Sequence, residues 1–560
     1  MAKDYHYLFT TSQDDLGTAE VIAYLDVLDR ETRRNIKSGN PTIGHQSINY
    51  HQVLKSSLLS ADGDSPALVL KNVAAMTAGL PIWNHPGTML NVIPPVNLPS
   101  AAAGAFCDIL NANFSQGHYS GNLALAERKV VKYLSDLVGW NWEQTDGLFT
   151  FGGKGTSLYA LKCALNRAYP EGKEAGYDRR FFFLSSQKGH PCHAEVAEWL
   201  GIGKKSCIRV STRKDGKIRT EEAEKVIHEN LRHGKTFLGF ILSGGSTVEY
   251  EVDDIVAIRT LVQRIQTQYG LSYTPWIHVD AVVGWPWLFY NGYDFEKNEL
   301  NLTEEAKEKI YSLNSDIRGI VYADSFGADF HKTGFCAYIS SLFMCHSRSE
   351  LQNVSNHKDN TRKEECSSQD ELDTFSPFEY SLELSRSAKG AVSALVALET
   401  MGVNGYRSLI RDLTMTVADV RERLQDLPCV ELLNPNARGL ATVFVIKPPE
   451  YENRSLDDLL SLPLTDTEKI KKYNVRFGNY VKELVAAKQS TINLTATDAF
   501  AVNNTNVYLG MMKIYPLSVL GNQETNERFI KEFCRLKAQF DLLDQRGISD
   551  YSATDMVYRK

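Results

Sequence analysis

From about residue 145 onward, short apolar runs alternate with amphipathic stretches of helical period. The runs "RFFFLSS", "TFLGFILSGG", "WIHVDAVVG" and "GIVYADS" each end in small or polar residues. Among them lie "SLYALKCALNRAYP" and "DDIVAIRTLVQRIQTQYG", whose apolar residues recur at helical spacing. This alternation predicts an α/β fold: a mostly parallel, doubly wound sheet with helices on both faces. Ligands of such sheets gather outside the carboxyl ends of the strands, so the polar residues closing each run are where chemistry is expected.

Around this region the chain divides into three expected units. Residues 1–110 read as a helical and then extended segment. "DLGTAEVIAYLDVLDRETRRNI" places Val21, Ile22, Leu25 and Leu28 at helical spacing behind the breaker Gly17, and "GLPIWNHPGTMLNVIPPVNLPS" holds five prolines. Residues 111–410 form the large domain, closed by the helix of "SRSAKGAVSALVALETMGVNGYRSLI". Residues 411–560 read as a smaller α+β domain. Inside the large domain, "HSRSELQNVSNHKDNTRKEECSSQDELDTFSP" is polar and charged, the composition of a binding loop or lid.

Composition narrows the partners. Of 560 residues, 61 are basic and 68 acidic, a net charge of −7 that supplies no concentrated basic face for nucleic acid or an anionic membrane. Nine cysteines show no CxxC pairing, which suits reduced thiols and a cytoplasmic location. The polar start "MAKDYHYLFTTSQDD" has no apolar secretory core, and no run approaches the roughly 20 apolar residues that span a bilayer.

Four features stand in order at the strand ends. The first is "TFGGKGTSLYALKCAL", a glycine turn feeding a helix whose free backbone N–H groups suit a phosphate. It lacks the GKT/GKS ending of a P-loop and the GxGxxG spacing; taken alone, it is more often a tight turn. The second is "SQKGHPCHAEVAEWLGIG", with His190 and His193 three apart. Without a third ligand or an HExxH arrangement, no metal is expected there.

The third feature is "WIHVDAVVGW", where Asp280 ends an apolar strand beside the small Ala281. A buried aspartate needs a cationic partner to stay ionised, and a protonated pyridine nitrogen is one. The fourth is "YADSFGADFHKTGFCAY", with Lys332 after His331. A lysine that loses its proton readily forms an imine with an aldehyde cofactor. Pyridoxal 5'-phosphate (PLP) needs such a lysine, an acid at its ring nitrogen, a phosphate cup and a group stacked on its ring. Each feature is weak alone; the ordered set points to PLP.

"HVDAV" with "ADSFGADFHKTG" resembles the paired signature of the group II PLP-dependent amino-acid decarboxylases, which include the aromatic-amino-acid, tyrosine, glutamate and diaminobutyrate enzymes. The resemblance runs from "NHPGTML" near residue 84 to about residue 410. It implies PLP fold type I, the aspartate-aminotransferase-like architecture. It further implies Lys332 as the Schiff-base lysine, Asp280 as the acid at the pyridinium, Ala281 as the small residue under the ring and His190 as the stacking histidine that orients the substrate carboxylate. Gly153 and Lys154 match the phosphate cup through their backbone, with Ser325 and His331 in neighbouring positions. Thr247, in "SGGSTVEYEVDDI", matches a threonine close to the ring.

For the substrate side the resemblance implies less. Tyr380, in "FSPFEYSLELSR", is the candidate lid proton donor, with packing before the next helix as the alternative. Arg386 is a candidate carboxylate binder or a helix brace, and Asn91 falls where related enzymes meet the substrate side chain. Thr333 stands where many members have an aromatic residue, and "HYSGNLALAE" lacks the family's proline and threonine.

The resulting expectation is decarboxylation of an L-amino acid to its amine and CO2. An aromatic substrate such as tyrosine is slightly favoured, and an acidic one such as glutamate comes next. The alternatives are a PLP-dependent carbon–carbon lyase or aldehyde synthase, and a non-catalytic PLP-fold binding protein. By the same resemblance, the chain is expected to be a homodimer with active sites at the subunit interface.

Overall fold

The computed structural model describes residues 8–10, 13–44, 48–59, 61–213, 215–246, 250–355, 376–497, 502, 505 and 507–546. Thr247 and most of the polar segment expected as a lid, residues 356–375, lie outside them.

Seven strands build the central sheet: β1 (Asp146–Thr150), β2 (Phe181–Ser186), β3 (Cys207–Val210), β4 (Thr236–Ser243), β5 (Trp276–Asp280), β6 (Ser325–Asp329) and β7 (Ser341–Cys345). Their order is β1-β7-β6-β5-β4-β2-β3. All pairings from β6 through β3 are parallel; β7 alone runs against its neighbours. The strands expected from "RFFFLSS", "TFLGFILSGG" and "WIHVDAVVG" are β2, β4 and β5. The run "GIVYADS" instead forms a short 3-10 turn, Arg318–Tyr322, and β6 begins only at its last serine. β1, β2, β6 and β7 are buried at every residue, as strands of a sheet covered by helices on both faces are.

A second sheet of four antiparallel strands follows: β8 (Val430–Leu432), β9 (Thr442–Ile446), β10 (Ala496–Thr497) and β11 (Met511–Ile514), in the order β10-β11-β9-β8. The helices Leu464–Ala486 and Gln523–Gln545 cover it through Phe477, Tyr480, Phe533 and Phe540. The helical stretch Lys389–Gln425 links the two regions. Its backbone breaks at Gly402 (φ 61°) and then continues past residue 410.

The N-terminal helix Thr18–Arg33 forms where the sequence predicts it, capped by Gly17, but buries none of its residues. Of the five prolines downstream, Pro99 lies in the first turn of the helix Leu98–Leu110, where its missing N–H costs nothing. None of the described helices is long and apolar enough to cross a membrane.

Candidate active site

The carboxyl ends of β4, β5 and β6 deliver Ser243, Asp280 and Asp329 to one cavity of about 160 Å³. Register does this: Ser243 pairs with Asp280, and Asp280 pairs with Gly327, so Asp329 projects two residues further along β6. β1 ends at Thr150 and feeds the helix Gly153–Ala168 through Gly152, whose φ of 132° a side chain rarely permits. A Cβ on Gly153 would stand 2.9 Å from Asp329 Oδ2, so only glycine lets this helix start so close to the carboxylate. The turn after β2 adds His190 and Cys192; the turn after β6 adds His331, Lys332 and Tyr338.

Asp280 is held by a chain of hydrogen bonds that begins at Arg209. The Arg209 guanidinium donates to Ser185 Oγ at 3.1 Å, Ser185 Oγ meets His193 Nδ1 at 2.8 Å, and His193 Nε2 meets Asp280 Oδ2 at 3.0 Å. Burial lowers the His193 pKa, so the ring is neutral and carries one proton. An ionised carboxylate can only accept; the proton is therefore on Nε2, and Nδ1 accepts from Ser185. Burial also pushes the Asp280 carboxyl up, but the His193 hydrogen bond and the nearby Lys332 and His190 outweigh it and hold it well below the usual range. Asp280 Oδ1 is buried and has no hydrogen-bond donor.

Lys332 turns back onto its own strand. Its Nζ lies 2.8 Å from Asp329 Oδ2, while Asp329 Oδ1 accepts from Ser341 Oγ at 2.5 Å. Burial opposes the lysine's charge, but Asp329 and then Asp280 raise its pKa above the ordinary value. The lysine expected to lose its proton readily is held as an ammonium ion. His331 is fixed by Ser340, whose N–H is 3.2 Å and whose carbonyl is 3.0 Å from Nδ1, and its ring packs 4.1 Å from Tyr338. His190 accepts from the Cys192 N–H at 3.2 Å, and burial lowers its pKa.

The structure thus brings Lys332, Asp280, His190, His331 and the Gly153–Lys154 backbone together. The Lys154 side chain turns away to Glu195 and lies over Trp199. Three expected placements differ, those of Ser325, Ala281 and Asn91, and for Tyr380 and Arg386 it is the alternative of packing and bracing that is seen. Ser325 begins β6 instead of ending it, roughly 13 Å from the pocket end at strand spacing, and bonds Trp276 and His278. Ala281 is fully buried against Gly244, and Val282 faces the cavity instead.

Tyr380 is buried in the packing against the helix Gly153–Ala168 and does not line the cavity. Arg386 spends its guanidinium on Glu127 and on the carbonyls of Phe149 and Phe114, which makes it a brace. Asn91 Oδ1 accepts from the Val92 N–H at 2.9 Å and meets Lys513 at 3.4 Å, again away from the cavity.

Three residues of the site were missed in the sequence. His193 was weighed only as a metal ligand, although its spacing from His190 placed it on the same turn. Asp329 stood in the quoted "ADFHK", three residues before the lysine it pairs with. Tyr338 carried no signal, since only the fold of the turn brings it back to His331.

The architecture is that of PLP fold type I. Residues 50–290 match the family profile described as the pyridoxal-dependent decarboxylase conserved domain. Over that stretch the chain is similar to the pyridoxal-dependent decarboxylases. It is 29% identical over 203 residues to the acidic amino acid decarboxylase GADL1 of Bos taurus, covering 36% of this chain and 37% of that one. It is 30% identical over 235 residues to the cysteine sulfinic acid decarboxylase of Rattus norvegicus, covering 40% of this chain and 44% of that one. The matched stretch is therefore less than half the length of these relatives. The fold extends further: the crystal structure of mouse CSAD in apo form superposes with a TM-score of 0.74 over 92% of this chain and 99% of that one, at 18% identity. The Catharanthus roseus tryptophan decarboxylase structure gives 0.70 over 95% and 100%, at 14% identity.

Proposed function

We propose that this chain is a PLP-dependent L-amino-acid decarboxylase, releasing CO2 and a primary amine. The observation that carries this reading is Asp280: an ionised, buried carboxylate with one oxygen fixed by His193 and the other left without a donor. A protonated pyridine nitrogen would supply the missing donor. The cavity also fits the rest of the cofactor, with the free backbone of the Gly153 helix start for a phosphate and Lys332 across from it for the aldehyde.

Bound there, PLP would supply an electron sink conjugated to the amino acid's α-carbon. The chain's own residues set the conditions for that chemistry. Asp280, kept ionised by His193, would hold a proton on the ring nitrogen. His190, kept neutral by burial, offers an uncharged face for stacking and an Nε2 edge toward the substrate carboxylate. Asp329 holds Lys332 on the cavity floor, and Tyr338 with His331 closes one side against water.

An acidic substrate is the reading the relatives favour over an aromatic one, because the matched curated relatives carry acidic amino acid and cysteine sulfinic acid decarboxylase names. The aromatic decarboxylases resemble this chain at the level of fold. Eight free thiols among the described residues suit a reducing, cytoplasmic setting. A homodimer is part of the same reading, checked by the mass in solution. The decisive test is an amine-release screen over the standard amino acids and cysteine sulfinate with PLP present. Release of CO2 and amine from an acidic amino acid supports the proposal; aldehyde with ammonia, or PLP binding with no CO2 from any amino acid, overturns it.

A further inference from the structure

Two carboxylates face Lys332, and they are built differently. Asp280 is tied to His193 and points its free oxygen into the cavity. Asp329 is fully buried, locked through Oδ1 to Ser341 by the β6–β7 register and overlain by Gly153. Its Oδ2 faces only the Lys332 ammonium at 2.8 Å and His331 Nε2 at 3.5 Å. We propose that Asp329 is the positioning residue of Lys332, a fixed counter-charge that holds the lysine as an ammonium ion whenever it is not bonded to a cofactor. The inference rests on the reading of Lys332 as the cofactor-binding lysine.

The chemistry gives this contact a consequence in both directions. When an amine and an aldehyde form an imine, the nitrogen attacks the carbonyl carbon. A C=N bond replaces C=O, and the oxygen leaves as water with the two remaining N–H hydrogens. An ammonium must first lose its third proton to solvent. Asp329 therefore aims Lys332 while raising the pH at which it can be captured. A Lys332 amine released by an incoming substrate amine would take a proton from solvent and pair with the same carboxylate as a cation, which has no lone pair with which to compete. The other titratable groups facing Lys332 are Asp280 on β5, Tyr338 and His331 on its own turn, and His190 and Cys192 across the cavity. Of these, Asp280 adds to the effect of Asp329, and the two histidines oppose it when protonated.

The experiment uses cofactor-free protein labelled with acetic anhydride over a pH series, with Lys332 modification read by peptide mass spectrometry. In the wild type, the midpoint for Lys332 should lie above that of the exposed lysines. Asp329→Asn should lower it by about one pH unit or more, a roughly tenfold rise in labelling at pH 8. Ser341→Ala, which only frees Oδ1, should lower it less, and it carries the test if Asp329→Asn does not fold. A midpoint unchanged in a folded Asp329→Asn protein, or unchanged in Ser341→Ala when that is the only folded variant, overturns the proposal. So does a shift seen with Asp280→Asn alone. Addition of PLP separates the two readings: a shifted midpoint without a visible imine band sinks the cofactor assignment and leaves the Asp329 pairing standing.

Discussion

The two ends of the seven-stranded sheet both bury charge, but on different terms. At the amino ends, Asp324 accepts from Arg167 at 3.0 Å, Arg259 at 2.9 Å and the Ile277 N–H at 2.8 Å. Arg167 also binds Glu350 and the Thr274 carbonyl, and it stacks 4.1 Å over Trp276. This cluster lines an open cavity of about 660 Å³, larger than the one at the other end. At the carboxyl ends, Asp280 keeps one oxygen without a donor and Asp329 turns one to Lys332 at 2.8 Å and His331 at 3.5 Å. Buried charge with every partner supplied locks a structure. Buried charge left partly unpaired costs stability and marks a place prepared for a ligand. Cavity size does not separate the two ends; partner count does.

The largest effect expected from breaking this contrast is at the carboxyl end. Lys332→Ala should abolish both the visible imine band on PLP addition and CO2 release, and it should also lower the stability of the cofactor-free protein because Asp329 is left buried without its counter-charge. At the amino end PLP binding survives. Arg167→Ala leaves Asp324 and Glu350 short of their shared cation, and should cost about 3 kcal/mol or more of stability by chemical denaturation while surviving folded protein still binds PLP. Arg386→Ala should behave like Arg167→Ala, because Glu127 is left buried beside it. A raised KM with unchanged stability would return Arg386 to the substrate site.

Smaller effects sharpen the picture around Asp280. His193→Phe removes the donor to Oδ2 and should cost about 1–3 kcal/mol of stability, with weaker PLP binding. Asp280 has a folded-state pKa below its unfolded value, so its contribution to stability is present above about pH 4 and is lost as pH falls toward the folded value. Denaturation midpoints of cofactor-free Asp280→Asn should therefore fall less steeply on acidification than those of the wild type. Tyr380→Phe should be the smallest, with decarboxylation unchanged, since Tyr380 packs in the core and does not line the cavity. A shift from amine to aldehyde in that variant would restore it as a proton donor.

What was readable in advance follows from the range of the forces involved. The strand–helix alternation is local, so the parallel sheet and the position of Asp280 at a strand end are readable from periodicity, whereas Lys332 is legible only through its motif. "GIVYADS" shows the limit: it has a strand's composition, yet its first residues close a helix as a 3-10 turn. Ser325, which the resemblance sets beside the lysine loop, instead opens β6, and the pocket end of that strand lies four residues later. Polar pairings between distant segments were not readable at all. Arg386 looks equally fit for substrate or brace until Glu127 and the Phe149 carbonyl, far apart in sequence, close around it.

By itself, then, the sequence determined the order of the chemistry: glycine turn, histidine, aspartate, lysine, each at the end of a local element whose periodicity it carries. Tertiary structure alone decided which of the neighbouring polar groups are spent and which are free. It tied His193 to Asp280 through Ser185 and Arg209, laid Asp329 under Gly153 and against Lys332, and moved Tyr380 and Arg386 into the core. The reason is physical. A side chain's type fixes what bonds it can make, but burial and the partners brought by other strands fix which bonds remain to be made.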